Sequence, residues 1–147
     1  MARSGTVRAI TRGMKTIPTV QRYMTTCPHT IGNEQSLQKA HDLMREYGVR
    51  HLPVMHGNRL VGVVSDRDVA IITSLDDVNP ELITVEDAMT SDVLSVGPDA
   101  ALDEVASLMA ERKAGSVVVE QNNKVVGIFT TVDGMLALAE LLRSRLK

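Results

Sequence analysis

The chain has almost no aromatic side chains. Among its 147 residues there is no tryptophan, one phenylalanine (Phe129) and two tyrosines (Tyr23, Tyr47). That scarcity argues against modules that read nucleic acid by stacking bases on rings, and it leaves the core to aliphatic residues. Cysteine is nearly missing too. Cys27 stands alone, so no internal disulfide can form and a reducing compartment is expected. No apolar run is long enough for a membrane span, and the N-terminus lacks the apolar stretch of a signal peptide. An excess of positive charge is also absent: 16 Lys and Arg stand against 18 Asp and Glu, so no basic field draws the chain to nucleic acid or membrane. The expectation is a cytoplasmic protein without a membrane or nucleic-acid partner.

Signs of catalysis are sparse. His29, His41, His51 and His56 lack zinc-site spacing, and Cys27 supplies no second ligand. No activated nucleophile or obvious pair of carboxylates stands out, so the sequence points away from an enzyme, a catalytic cofactor and a metal.

What the chain does have is a duplication. Residues 20–69 align without a gap on residues 85–134, at a constant offset of 65. Val20 falls on Val85, Met24-Thr25 on Met89-Thr90, Leu37 on Leu102, Val61-Gly62 on Val126-Gly127, and Asp68 on Asp133. Two copies of a unit this size form one closed domain about a pseudo-twofold axis rather than an array. Residues 1–18 are a basic lead-in in which Val7, Ile10, Met14 and Ile17 recur at roughly helical spacing. Residues 19–74 are the first repeat, 75–84 an acidic linker, and 85–147 the second repeat with a long terminal helix.

Each repeat follows one plan. A brief extended stretch (Pro28–Ile31, Val93–Val96) precedes an amphipathic helix. One face of that helix carries Leu37, Ala40, His41 and Met44 in the first copy, and Leu102, Val105, Ala106 and Met109 in the second. Ser36 and Asp99 are the expected N-caps and Gly48 the expected stop. Two β-rich runs follow, Val49–Met55 with Arg59–Val64 and Ser116–Glu120 with Lys124–Phe129, each around a turn containing Gly or Asn. A second helix starts after Ser65 or Thr130. The unit is β-α-β-β-α and the fold class α/β. In the last helix Val132, Met135, Leu136, Ala139 and Leu142 form one stripe, with Leu138 and Leu141 off it. A helix apolar beyond one face packs against more than its own core, so a subunit contact is expected there.

The strongest local signal is Gly62-Val63-Val64-Ser65-Asp66-Arg67-Asp68, matched by Gly127-Ile128-Phe129-Thr130-Thr131-Val132-Asp133. Each is a strand with an internal glycine, then a hydroxyl residue, then an aspartate three positions on. A glycine inside a strand marks close approach by a backbone or a ligand. Two readings stand. The hydroxyl caps the helix and the aspartate answers its dipole. Or the carboxylate accepts from both hydroxyls of a ribose, while the free N–H groups favour an anion. Finding the corner twice favours binding. The strand start Val49-Arg50-His51-Leu52-Pro53-Val54 adds a guanidinium and an imidazole, suited to a phosphate or to a plain solvated strand end. Arg67 adds charge to the same cleft, or pairs with Asp66 or Asp68.

Taken together, the doubled unit, the paired corners and the Arg-His-Leu-Pro-Val strand resemble a tandem pair of cystathionine-β-synthase (CBS) domains, a Bateman module. The resemblance covers roughly residues 20–142, with the module expected to stand alone. It implies two β-α-β-β-α repeats packed through their sheets, two clefts between them, and dimerisation of modules. It also implies adenine-containing ligands: AMP, ADP, ATP or S-adenosylmethionine. Carried over by position, Ser65 with Asp68 and Thr130 with Asp133 resemble ribose contacts, and Arg50 and His51 phosphate contacts. Pro28, His29 and Thr30, with Val93, Leu94 and Ser95, resemble the backbone flanking the adenine. Val49, Leu52 and Pro53 would line the base pocket. The second copy departs from the pattern: Gly115 and Ser116 replace Arg50 and His51, Val118 replaces Pro53, and Val132 replaces Arg67. Two inequivalent sites are therefore expected. The function implied is a regulatory sensor of adenine nucleotides that signals through dimer conformation or an unidentified partner protein. The alternative is a dimerisation scaffold with no physiological ligand.

Overall fold

The computed structural model describes residues 16–145. The helical spacing in the lead-in falls almost wholly on residues 1–15, outside the described residues. In chain order the elements are a 3-10 turn (Val20–Arg22), β1 (Thr25–Thr26), β2 (Ile31–Gly32), α1 (Leu37–Tyr47), β3 (His51–His56), β4 (Arg59–Ser65) and α2 (Asp66–Thr73). They continue with α3 (Val85–Ala88), β5 (Ser95–Val96), α4 (Leu102–Arg112), β6 (Ser116–Gln121), β7 (Lys124–Thr130) and α5 (Thr131–Arg145).

The helical apolar spacing places Leu37, Ala40 and Met44 of α1, and Leu102, Val105 and Met109 of α4, in two cores. Ala106 is exposed, one step round the helix from Val105. Ser36 caps α1, its hydroxyl accepting from the Lys39 N–H at 3.1 Å. Asp99 does not cap α4. That helix starts after Ala101, the counterpart of Ser36, and its opening turn draws negative charge from Asp103 and Glu104 instead. Gly48 ends α1 at φ 65°, whereas its counterpart Lys113 ends α4 at φ 53°. That conformation costs a residue with a Cβ roughly 1–2 kcal/mol.

The hairpins β3–β4 and β6–β7 anchor two sheets, ordered β2-β3-β4 and β1-β7-β6-β5. The repeats are not separate packing units. β1 belongs to the first repeat by sequence yet pairs antiparallel with β7, Thr25 opposite Ile128 and Thr26 opposite Gly127. Reciprocally, Thr90 bridges Val63 on β4 through N–H···O bonds of 2.9 and 3.0 Å. The cores follow the same exchange. Val20, Tyr23 and Met24 pack with Val105, Val117 and Phe129, while Val85, Ala88 and Met89 pack with Leu37, Leu52 and Val64. The Leu102 N–H donates to the Pro18 carbonyl (2.9 Å) and the Leu37 N–H to the Ile83 carbonyl (2.8 Å), tying each leading segment to the other repeat's helix. Neither repeat has a complete core alone, so the two are expected to unfold together.

The exchange explains the strand glycines. A Cβ on Gly62 would lie 2.9 Å from the Thr90 carbonyl oxygen as well as against Met89, whereas the three atoms nearest a Cβ on Gly127 all belong to the flexible side chain of Met24. The Thr90 carbonyl accepts from Val63 and cannot retreat without losing that bond; a thioether can swing away. Gly62→Ala is therefore expected to destabilise by about 1–3 kcal/mol and Gly127→Ala by less. Denaturant titration of the two variants checks the order; equal costs would contradict it. Among the described residues no helix is long and apolar enough to cross a membrane.

Candidate functional site

Each strand-to-helix corner folds as a capping box. The Ser65 hydroxyl accepts from the Asp68 N–H at 3.1 Å, and Asp68 Oδ2 accepts from the Ser65 N–H at 2.9 Å. Thr130 and Asp133 repeat the arrangement, with the Thr130 N–H donating to Asp133 Oδ2 at 2.9 Å and the Asp133 N–H to Thr130 Oγ1 at 3.3 Å. Capping thus accounts for one oxygen of each carboxylate and leaves the other. Asp68 Oδ1 has no hydrogen bond among the described residues. Asp133 Oδ1 receives one at 3.5 Å, from the Thr25 hydroxyl.

Both corners open onto a single cleft of about 940 Å³ that runs between the repeats. The family resemblance implies two clefts; here the two corners line one continuous cavity. Pro28, His29 and Val49 line it, as do Arg50, His51 and Arg67, together with Val93, Leu94 and Ser116. Four expected residues do not. Leu52 is fully buried in the first core, and Pro53 is buried on the opposite face of β3, so neither side chain lines the cleft. Ser95 lies in β5, its hydroxyl donating to Glu120 at 2.6 Å, and Thr30 is exposed outside the cleft. The cleft also takes in Thr25, Cys27, Thr90, Asp92, Arg112 and Lys113. The matched Thr25 and Thr90 were visible in the duplication, but their role depends on the strand exchange, which leaves no local pattern.

The electrostatics suit an anionic guest at one end. Arg50 approaches Asp66 at 3.9 Å with both side chains more than half exposed, a loose pair that leaves the guanidinium free to turn. Arg67 forms no ion pair among the described residues. His51 reaches across to the other repeat, where Gly115 makes room: a Cβ there would lie 3.1 Å from His51 Nε2. Burial pushes the His51 imidazole below its ordinary pKa, against the pull of Asp66 and Asp68, with Arg50 adding to the lowering. As pH falls through about 6.5, the unfolded chain takes up a proton at this position that the folded chain resists, so stability falls. His51→Gln is expected to flatten the drop in melting temperature between about pH 7.5 and about pH 5.5. An unchanged profile would show that another group sets the drop.

The sequence model of the CBS domain matches residues 20–72 and again residues 85–140. The inosine-5'-monophosphate dehydrogenase of Korarchaeum cryptofilum is 37% identical over 105 residues, which cover 71% of this chain and 21% of that protein, so the chain spans about a fifth of its length. The CBS domain pair of protein MJ0100, solved with 5′-methylthioadenosine and S-adenosyl-L-methionine, superposes with a TM-score of 0.76 at 25% identity, covering 84% of this chain and 98% of that one. CBSX2, solved in complex with AMP, superposes with a TM-score of 0.72 at 28% identity, covering 84% and 98%. With the duplicated unit, the mixed α/β architecture and the paired corners all in agreement, the chain belongs to the CBS domain family and carries two copies of that domain folded into one another.

Proposed function

We propose that the protein is a regulatory module that binds an adenosyl ligand in the inter-repeat cleft and passes on its occupancy through a homodimer or a partner protein, without catalysis. One observation carries the reading: two carboxylates, each keeping an acceptor oxygen beyond its capping bond, stand at the wall of one cleft, with Arg50 and Arg67 near the first. A ribose diol has two hydroxyls to donate to such a carboxylate, and guanidinium groups meet phosphate oxygens in paired, charge-assisted bonds. The ligands seen on the MJ0100 pair and on CBSX2 share adenine joined to a ribose ring. For this chain AMP, ADP, ATP or S-adenosylmethionine is the ligand class, and the cytoplasm the place of action.

The dimer rests on α5. Ala137 and Leu141 turn to the second core, leaving Val132, Met135, Leu136 and Leu142 exposed, with Met135 and Leu136 at 63% and 65%. The stripe expected from the sequence is thus the outer face of the helix. We assign that contiguous apolar surface to a second copy of the chain. A ligand alters the pairing only by binding two arrangements with different affinity. The scaffold reading draws on α5 alone and gives the carboxylates no task beyond capping their helices. Calorimetric titration with AMP, ADP, ATP and S-adenosylmethionine, alongside native mass spectrometry, tests the proposal. Binding of at least one at or below millimolar concentration supports it; dimers indifferent to all four favour the scaffold.

A further inference from the structure

The strand exchange decides which residues meet at each corner. Thr25 reaches Asp133, and the Cys27 N–H donates to the Val126 carbonyl at 3.1 Å, so residues 25–29 run along the Asp133 corner. His29 stacks on Tyr47, ring centroids 3.5 Å apart, which brings Tyr47 and Gly48 to the same corner. The duplication sets the mirror arrangement at Asp68. Thr90 bridges Val63 on the strand leading to Ser65, so residues 90–94 run along the Asp68 corner. Arg112 and Lys113, the counterparts of Tyr47 and Gly48, come with them. The Lys and Arg residues lining the cleft are Arg50, Arg67, Arg112 and Lys113. By the mirror arrangement all of them belong to the Asp68 corner, in company with the carboxylates of Asp66 and Asp92. At the Asp133 corner their places are held by Gly115, Val132, Tyr47 and Gly48. Lys113 keeps its cation there despite a left-handed φ of 53° that the first repeat gives to glycine.

The corners also differ in what they offer a base. The Val118 N–H donates to the Leu94 carbonyl at 3.0 Å, which opens the parallel pairing at Ser95 and Val118. Pro53 stands at the place of Val118 and has no N–H. The pairing of β2 therefore begins one position later, at Ile31 and Val54, and the His29 carbonyl has no hydrogen bond among the described residues. An acceptor left unpaired at a cleft edge suits the exocyclic amine of adenine.

We infer that the cleft holds two different ligands at once: a phosphorylated adenosine at the Asp68 corner and an adenosyl compound without phosphate at the Asp133 corner. This rests on the adenosyl reading above and assigns a chemical class to each half of the site. The test is calorimetry with AMP and 5′-methylthioadenosine, separately and together. Each is expected to bind one site per chain, and saturating AMP is expected to leave 5′-methylthioadenosine binding in place. Arg112→Ala combined with Lys113→Ala should weaken AMP about tenfold or more and spare 5′-methylthioadenosine. Asp133→Ala should do the reverse. Val132→Arg, which supplies the counterpart of Arg67, should add a second AMP per chain. Competition of the two compounds for one site, or two equal AMP sites in the unmodified protein, overturns the inference and leaves the adenosyl reading standing. Failure of both compounds to bind overturns the inference, and the adenosyl reading falls with it only when ADP, ATP and S-adenosylmethionine fail as well.

Discussion

Asp68→Ala is expected to lower AMP affinity by about one to two orders of magnitude while costing only about 1 kcal/mol of stability. The two effects have separate origins. Asp68 Oδ2 answers the Ser65 N–H and closes the capping box, so its loss releases one end of α2. The other oxygen is the ribose acceptor, and a buried hydroxyl pair left facing alanine loses charge-assisted bonds worth more than the cap. Ser65→Ala separates them. It breaks the same box, through the bond from the Asp68 N–H, but leaves the carboxylate in the cleft. The two variants should therefore melt at similar temperatures and differ widely in AMP affinity. Undiminished affinity in both variants would reduce the corner to a helix cap.

The second large effect lies in the core. Phe129→Val is expected to destabilise by about 2–3 kcal/mol, and adding Gly134→Val to recover a substantial part of that loss. Phe129 is 2% exposed, and a Cβ on Gly134 would already touch its ring at 3.6 Å. The first repeat fills the same place with two valines, Val64 and Val69, both buried. One copy pairs a large residue with none; the other pairs two of middle size. Phe129→Val alone leaves a void, and Gly134→Val alone pushes methyl groups into the ring, costing about 1–3 kcal/mol. The double variant rebuilds the arrangement of the first repeat. Denaturant titration of all four proteins measures the coupling, and strictly additive costs would show that the two positions do not share one space.

This pair illustrates what a sequence yields and what it withholds. The duplication, the faces of α1 and α4, the two hairpins and the paired corners all rest on local spacing and turn residues, and they were legible. The exchange of leading segments was not. β1 is two residues long, and nothing in Thr25-Thr26 records that its partner lies in β7. Leu52 and Pro53 sit beside Arg50 and His51 in sequence, yet both are buried, on opposite faces of β3, because each face of that strand is covered. Capping and ribose binding call for the same residues at the same spacing, so only the free oxygen seen in three dimensions shows that both fit. No local pattern marks Lys113 as a cleft residue; the position of α4 and the loop after it brings it there.

The most direct measurement is a crystal structure of the protein grown with saturating AMP. The account predicts AMP in the inter-repeat cleft, its ribose hydroxyls on Asp68 and its phosphate among Arg50, Arg67 and Lys113. A nucleotide seated on the outer surface, or an unfilled cleft with Asp68 bonded only to its own helix start, would contradict it.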